Sequence, residues 1–227
     1  MTDGTKHLPW LYAVSRVVLR AWLAWKFKVS VHGVENVPAT GGVILASNHA
    51  SYLDPPLLGV PIKQRDVRYM ARDTLFCNPV VSWIFHRIGV VPLSREKGDV
   101  GAIKTAIGLL KKGACVCLFP EGTRTTDGHL QPAKGGIGFL ISKAGVPVVP
   151  VYIKGSFEAF PKGAKKMVSH PITITYGAPI QPGELMLHDE RGKPDFDAIG
   201  RLVMDRIARL QPALPASLTA SETHSSA

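Results

Sequence analysis

Four short apolar runs, Val43 to Ala46, Gly89 to Leu93, Ala114 to Phe119 and Val146 to Ile153, each stop on polar or turn-forming residues. Between them, Val100 to Lys112 and Lys134 to Ala144 carry helical spacing and are followed by Gly113 and Gly145, the residues that end helices in a left-handed turn. Strands alternating with helices call for parallel pairing, because a parallel connection needs a crossover long enough to hold a helix. The spacing therefore predicts an α/β fold with a mixed, largely parallel central sheet flanked by helices. Val29 to Val34 and the alternating Ile172 to Tyr176 add strand candidates, and Phe196 to Leu210 reads as a helix with Ile199, Leu202, Val203, Ile207 and Leu210 on one face. The 22 glycines and 18 prolines lie mostly between these segments, as many tight turns require. The pair Pro147 and Pro150 inside one apolar run points to an edge strand or a bent hydrophobic wall, since proline cannot donate to a ladder.

Before the first strand, Trp10, Val14, Val17, Val18, Ala21, Trp22 and Trp25 recur at helical steps, with Ser15, Arg16 and Arg20 gathered on another side. Such an amphipathic helix either packs on the domain or lies in a membrane interface; tryptophan and arginine together on a short N-terminal element favour the interface. The expected organisation is residues 1–28 as this membrane-associating helix, 29–211 as one domain and 212–227, rich in Pro, Ala, Ser and Thr, as a disordered tail. No uninterrupted apolar run reaches the ~18 residues that mark a spanning helix, and Arg16 and Arg20 interrupt the only stretch resembling a secretory signal.

Hydrophobic residues at 45% and charged residues at 19% exclude a disordered chain. The formal charge of +10 points to anionic partners. Nucleic acid is not among those expected, because no RNA-binding glycine-aromatic motif, helix-turn-helix signature or basic stripe with interleaved aromatics is present. Arg65, Arg68, Arg72, Lys162, Lys165 and Lys166 are the basic residues to map first. Cys77, Cys115 and Cys117 form no CxxC pair and have no histidine at zinc spacing, so neither a disulfide framework nor a metal site is expected and a reducing, cytosolic setting is.

The polar ends of the apolar runs hold the residues that can do chemistry. Asn48 and His49 follow the first run, and Asp54 stands five positions after His49. With His49 in a turn and Asp54 opening a helix, the carboxylate can orient one imidazole nitrogen and leave the other to take a proton. The same spacing also suits an ordinary turn histidine and an aspartate capping the helix at Pro55. After the third run come Glu121, Gly122, Thr123 and Arg124, a turn with hydroxyl, backbone N–H and guanidinium donors suited to a phosphate, or else a structural turn with Glu121 and Arg124 paired. The second run ends near Arg95. Lys134, Gly135 and Gly136 open a helix whose N–H groups could meet an anion or simply start it.

Taken in order, NHxxxxD, GxxxLxR, FPEGTR and VPVVPV resemble the glycerophospholipid acyltransferase family, whose best-known members are bacterial 1-acyl-sn-glycerol-3-phosphate acyltransferases of the PlsC type. The resemblance runs from about residue 30 to 180, with NHxxxxD and FPEGTR about 70 residues apart. It implies a single acyltransferase domain in which His49 is the general base and Asp54 its orienting partner, with no serine or cysteine acyl-enzyme. It places Asn48, Arg95, Glu121, Gly122, Thr123, Arg124, Lys134 and Gly135 in the substrate-binding set, and Pro147 and Pro150 on the acyl side. Val91, Pro92 and Leu93 stand where a Phe-Ile type core is common, which leaves the acceptor open. The implied reaction moves an acyl group from acyl-CoA or acyl carrier protein to the sn-2 hydroxyl of lysophosphatidic acid, giving phosphatidic acid; glycerol-3-phosphate, another lysophospholipid and a lyso-ornithine lipid are the alternative acceptors. No cofactor and no metal are implied. The expected place is the cytoplasmic face of the cell membrane, as a peripheral, monotopic protein on an anionic surface.

Overall fold

The structure, a computed structural model, describes residues 8–93 and 98–212. Arg95 and all of the expected tail but Pro212 lie outside the described residues. A helix α1 (Pro9–Lys26) leads into β1 (Val29–His32), β2 (Val43–Ser47), α2 (Asp54–Gly59), β3 (Val67–Arg68), β4 (Met70–Arg72), α3 (Pro79–Arg87) and β5 (Val91–Leu93). There follow α4 (Gly98–Lys111), β6 (Cys115–Leu118), α5 (Ile137–Ala144), β7 (Val148–Lys154), α6 (Ser156–Ala159), β8 (Ile172–Tyr176) and α7 (Phe196–Ala208).

Six strands form one sheet in the order β1, β8, β7, β2, β6, β3. Every neighbouring pair is parallel except β7 and β8. The fold class is thus α/β with a mixed, largely parallel sheet. β2 and β6 are apolar on both faces because both faces are covered, as buried parallel strands require. Their side chains alternate between two cores. Leu45, Cys115, Cys117, Val149 and Val151 meet Leu57 and Leu58 of α2 and Leu23 of α1. Ile44, Ala46, Val116, Leu118 and Val148 meet Leu110 of α4, Leu140 and Ile141 of α5, and Ile199, Val203 and Ile207 of α7.

Three sequence expectations are revised. The run ending at Leu93 does not enter this sheet; β6 already has β2 and β3 as neighbours, and β5 pairs instead with β4 in a separate two-stranded parallel ribbon. The strand containing Pro150 is not at an edge, for β7 lies between β2 and β8. It accommodates proline because Pro147 precedes the strand and Pro150 sits at a local irregularity. Val151 pairs with Tyr176 and Val148 bridges to Ile180, so the partner chain carries one more residue than β7 between the two contacts. Helix α5 begins at Ile137, so Lys134 and Gly135 belong to the preceding turn, with Gly136 at a φ of 94° as its last residue.

Helix α1 has two apolar faces. One is anchored on the domain: Tyr12 and Leu23 are buried, the Tyr12 hydroxyl accepts from the Val67 N–H at 3.0 Å, and Arg16 Nη1 donates to the Ile62 carbonyl at 2.9 Å. The opposite face holds Trp10, Val14, Val17, Val18 and Trp25, all exposed, with Trp25 at 81%. No helix of the described residues is long and apolar enough to cross a membrane.

Candidate active site

β2 and β6 are adjacent and parallel, with Ala46 opposite Leu118, so the turns that follow them emerge at the same edge of the sheet. Ligands of open α/β sheets sit at this carboxyl edge. Asn48 prolongs the pairing of β2 with β7 through its side chain: its Nδ2 donates to the Ile153 carbonyl at 3.0 Å and its Oδ1 accepts from the Ile153 N–H at 2.8 Å. This fixes the point at which the chain turns into His49.

Asp54 is the first residue of α2 and is fully buried. It does not cap that helix; the capping position is Leu53. Its Oδ2 reaches backward and accepts from the Ala50 N–H at 2.6 Å, the Ser51 N–H at 2.7 Å and His49 Nδ1 at 2.8 Å. With two amide donors already converging on that oxygen, it is the acceptor and Nδ1 carries the proton, which leaves Nε2 its lone pair. Among the described residues Nε2 has no hydrogen-bond partner. The imidazole stacks on Phe119 at 4.0 Å between centroids, 17° from parallel, and its side chain is 18% exposed. One ring face is thus covered by an apolar plate while part of the side chain stays exposed.

Glu121 is buried behind His49 and is not paired with Arg124 among the described residues. Its Oε1 accepts from the His49 N–H at 2.7 Å and its Oε2 from the Gln131 N–H at 3.1 Å. Burial raises its pKa, and the two amide donors oppose that rise. The Thr125 N–H donates to the His49 carbonyl at 2.8 Å, so both backbone groups of His49 are held by the chain that follows β6. Thr125 and Gln131 were not singled out in the sequence. The signal that would have found Thr125 is the Thr-x-Asp turn, in which its hydroxyl donates to Asp127 Oδ1 at 2.6 Å.

Gly122 adopts a φ of 66°, and a Cβ there would lie 2.6 Å from Lys134 Cδ, so the aliphatic stem of Lys134 runs across it. Lys134 is tied to the same turn by its N–H, which donates to the Pro120 carbonyl at 2.9 Å. Thr123, Lys134 and Gly135 are exposed. The Arg124 guanidinium carbon stands 3.3 Å from the Tyr52 ring centroid, and Nη1 is enclosed without a hydrogen-bond partner. The structure therefore gathers Asn48, His49, Asp54, Glu121, Gly122, Arg124 and Lys134 at one edge. Pro147 and Pro150 lie before and within β7, while the site's contact with that strand is made at Ile153.

Not every basic residue belongs to this edge. Arg65 lines an open cleft at the opposite end of β2 and β6, and its guanidinium donates to the carbonyls of Pro38, Gly41 and Gly113, a structural role. Among the described residues no group of three or more His, Cys, Asp or Glu side chains is arranged to hold a metal ion.

A family profile described as Acyltransferase matches residues 28–154, more than half of the chain. This chain belongs to the acyltransferase family. The matched segment runs from just before β1 to the last residue of β7, and so includes both polar turns. A 1-acyl-sn-glycerol-3-phosphate acyltransferase of Bacillus subtilis is 34% identical over 70% of this chain and 80% of its own. A chloroplastic 1-acyl-sn-glycerol-3-phosphate acyltransferase of Brassica napus, BAT2, is 33% identical over 74% of this chain; the match spans 50% of the plant protein. The crystal structure of the 1-acyl-sn-glycerophosphate acyltransferase PlsC from Thermotoga maritima superposes with a TM-score of 0.68 at 26% identity, covering 88% of this chain and 80% of that one.

Proposed function

We propose that the chain transfers a fatty acyl group from an acyl thioester, acyl-CoA or acyl carrier protein, to the sn-2 hydroxyl of 1-acyl-sn-glycerol-3-phosphate. The observation that carries this reading is His49: Nδ1 is held by a buried carboxylate at 2.8 Å and Nε2 is left without a partner. The names of the similar proteins support lysophosphatidic acid as the acceptor.

Nε2 takes the proton of the acceptor hydroxyl as its oxygen attacks the thioester carbonyl. The tetrahedral adduct collapses, the carbon–sulfur bond breaks, and the imidazolium returns the proton to the leaving thiolate. Ester and free thiol are the products, and the balance needs neither metal nor redox cofactor. Because the proton is both taken and returned by His49, Asp54 serves to fix the tautomer and to stabilise the transient positive ring. Arg124, Lys134, Thr123 and the turn at Gly122 receive the acceptor's phosphate, with Arg95 contributing from outside the described residues. Asn48 and Glu121, whose side chains bind backbone groups, serve the same site by fixing where His49 stands, and Gly135 leaves open space beside it.

The acceptor is an amphiphile, and α1 offers a way to meet it. Its outer face of Trp10, Val14, Val17, Val18 and Trp25 suits insertion at an anionic lipid surface, and the net charge of +10 adds attraction. The chain would work as a peripheral protein on the cytoplasmic membrane face. Removing residues 1–28 would uncover the core under Leu23 and Phe27, so the sharper test is Trp10→Ser with Trp25→Ser in the full chain. Loss of co-sedimentation with anionic vesicles is expected, and undiminished binding would move the docking surface elsewhere.

Thiol release from acyl-CoA in detergent micelles, with lysophosphatidic acid, glycerol-3-phosphate, other lysophospholipids or no acceptor, tests the reaction. Turnover that requires lysophosphatidic acid and is lost in His49→Ala is expected. Turnover with another acceptor alone would keep the mechanism and replace the substrate; silence with acyl-CoA and with acyl carrier protein would reject the reading.

A further inference from the structure

We propose that Tyr52 is a positioning residue for the acceptor's phosphate: its ring face holds the Arg124 guanidinium in place without engaging that group's N–H donors in hydrogen bonds. This rests on the reading of Arg124 as the phosphate-binding cation. Tyr52 is the third of the four unspecified positions of the NHxxxxD motif, and nothing in the proposed proton transfer uses it.

The Arg124 guanidinium carbon stands 3.3 Å above the Tyr52 ring centroid, well inside the range of a cation–π contact. The geometry matters for what remains available. A carboxylate partner would consume two of the five N–H groups of an arginine; an aromatic face consumes none, because all five lie in the guanidinium plane and point outward from its rim. Arg124 makes no side-chain hydrogen bond to the described residues, and its enclosed Nη1 is unpartnered. The ring and local packing are therefore what holds it.

The ring itself is held. Tyr52 is 55% exposed, too open to serve as a core residue, yet its backbone neighbours are pinned. The Ser51 hydroxyl donates to the Phe160 carbonyl at 2.7 Å and accepts from the Leu53 N–H at 3.1 Å, while the Ser51 N–H donates to Asp54. Phe160 packs beside the Tyr52 ring at 5.9 Å. One short loop thus carries the base on one side chain and the support of the phosphate-binding cation on another.

The test compares Tyr52→Leu, Tyr52→Phe and Arg124→Ala by steady-state thiol release with lysophosphatidic acid as the varied acceptor. Tyr52→Leu should raise the acceptor KM about threefold to tenfold, in keeping with the strength of a partly exposed cation–π contact, with kcat within about twofold and the donor KM unchanged. Tyr52→Phe, which keeps the ring face, should match the wild type. In an Arg124→Ala background, Tyr52→Leu should add nothing further. An unchanged acceptor KM in Tyr52→Leu would overturn the proposal, as would Tyr52→Phe behaving like Tyr52→Leu, because the hydroxyl would then be the active group. If Arg124→Ala itself left the acceptor KM unmoved, the phosphate reading of Arg124 would fall and this proposal with it; a rise there without one in Tyr52→Leu would remove the positioning role alone.

Discussion

The turns after β2 and after β6 stand side by side on parallel strands, yet they are built on opposite plans. In the first, the donors converge inward: one oxygen of Asp54 gathers three of them, its other oxygen is buried without a partner among the described residues, and His49 Nε2 is left open. In the second, the Glu121 carboxylate is turned inward to hold the first turn, and the Arg124 guanidinium makes no hydrogen bond to the described residues. A proton-transfer group needs one fixed tautomer and orientation, which the three contacts to Asp54 Oδ2 supply. A ligand-binding group needs donors that the fold has not already used. On the proposed reading, a turn whose donors converge on one carboxylate carries the chemistry, and a turn whose cation is not hydrogen-bonded to the described residues carries recognition.

The strongest way to break that division is His49→Ala. Loss of the base is expected to lower kcat by roughly 10²- to 10⁴-fold, with the acceptor KM little altered and the circular dichroism melt preserved. A variant that kept near wild-type turnover would end the claim that the first turn carries the chemistry.

Arg124→Ala probes the other turn. Losing a charge-assisted contact to phosphate costs about 1.5–3 kcal/mol, so an acceptor KM raised roughly 10- to 100-fold is expected while kcat at saturation stays close to wild type. A drop confined to kcat would mean that the second turn takes part in the chemical step and that the two plans are not separate.

Glu121→Gln tests the joint between them. Both carboxylate oxygens accept from amides, and a glutamine offers one oxygen and an NH2 that would face another N–H. One buried donor then goes unpaired, at a cost of about 1–3 kcal/mol. A lower melting temperature and a kcat reduced by about tenfold are expected, measured by calorimetry and thiol release. Full stability would show that the two turns hold their relation without this carboxylate.

How far the sequence could reach differs between these same parts. The βα alternation, with Gly113 and Gly145 closing two of the helices, was enough for the mixed parallel sheet, because apolar periodicity and turn chemistry are local. His49 and Asp54 were legible as a candidate pair, but their spacing alone also allowed a helix cap, and only the direction of the Asp54 carboxylate decides between them. The inward turn of Glu121 was not legible, since it depends on Gln131 and His49 arriving from distant positions. Nor was the interior place of β7: a proline in a strand argues for an edge until the extra residue opposite it is seen. The α1 pattern showed its broad outer face of Trp10, Val14, Val17 and Trp25, while the narrower set of Tyr12 and Leu23 that anchors it emerged only from the packing.

The smallest expected effect concerns the strand beneath the second turn. β6 presents Cys115 and Cys117 to the core that contains α2, and a thiol that could be acylated there would make His49 the activator of a protein nucleophile instead of the acceptor. Burial argues against it. It pushes the Cys115 thiol up to about 12, and burial, with the nearby Cys115 and Asp54, raises Cys117 well above the ordinary range. Both therefore stay protonated at pH 8, whereas Cys77 is exposed. Iodoacetamide at pH 8 should label Cys77 alone in the native protein, as located by mass spectrometry, and thiol release should be unchanged in the singly labelled product. The same raised values fix a sign in alkali. The folded chain holds these protons more tightly than the unfolded one, so their contribution is present below the ordinary thiol value of 9.0 and is lost as pH rises from there toward about 12. Cys115→Ala with Cys117→Ala should flatten that fall. Rapid labelling of Cys117 accompanied by inactivation would place a nucleophile on the binding strand and undo the separation of the two turns.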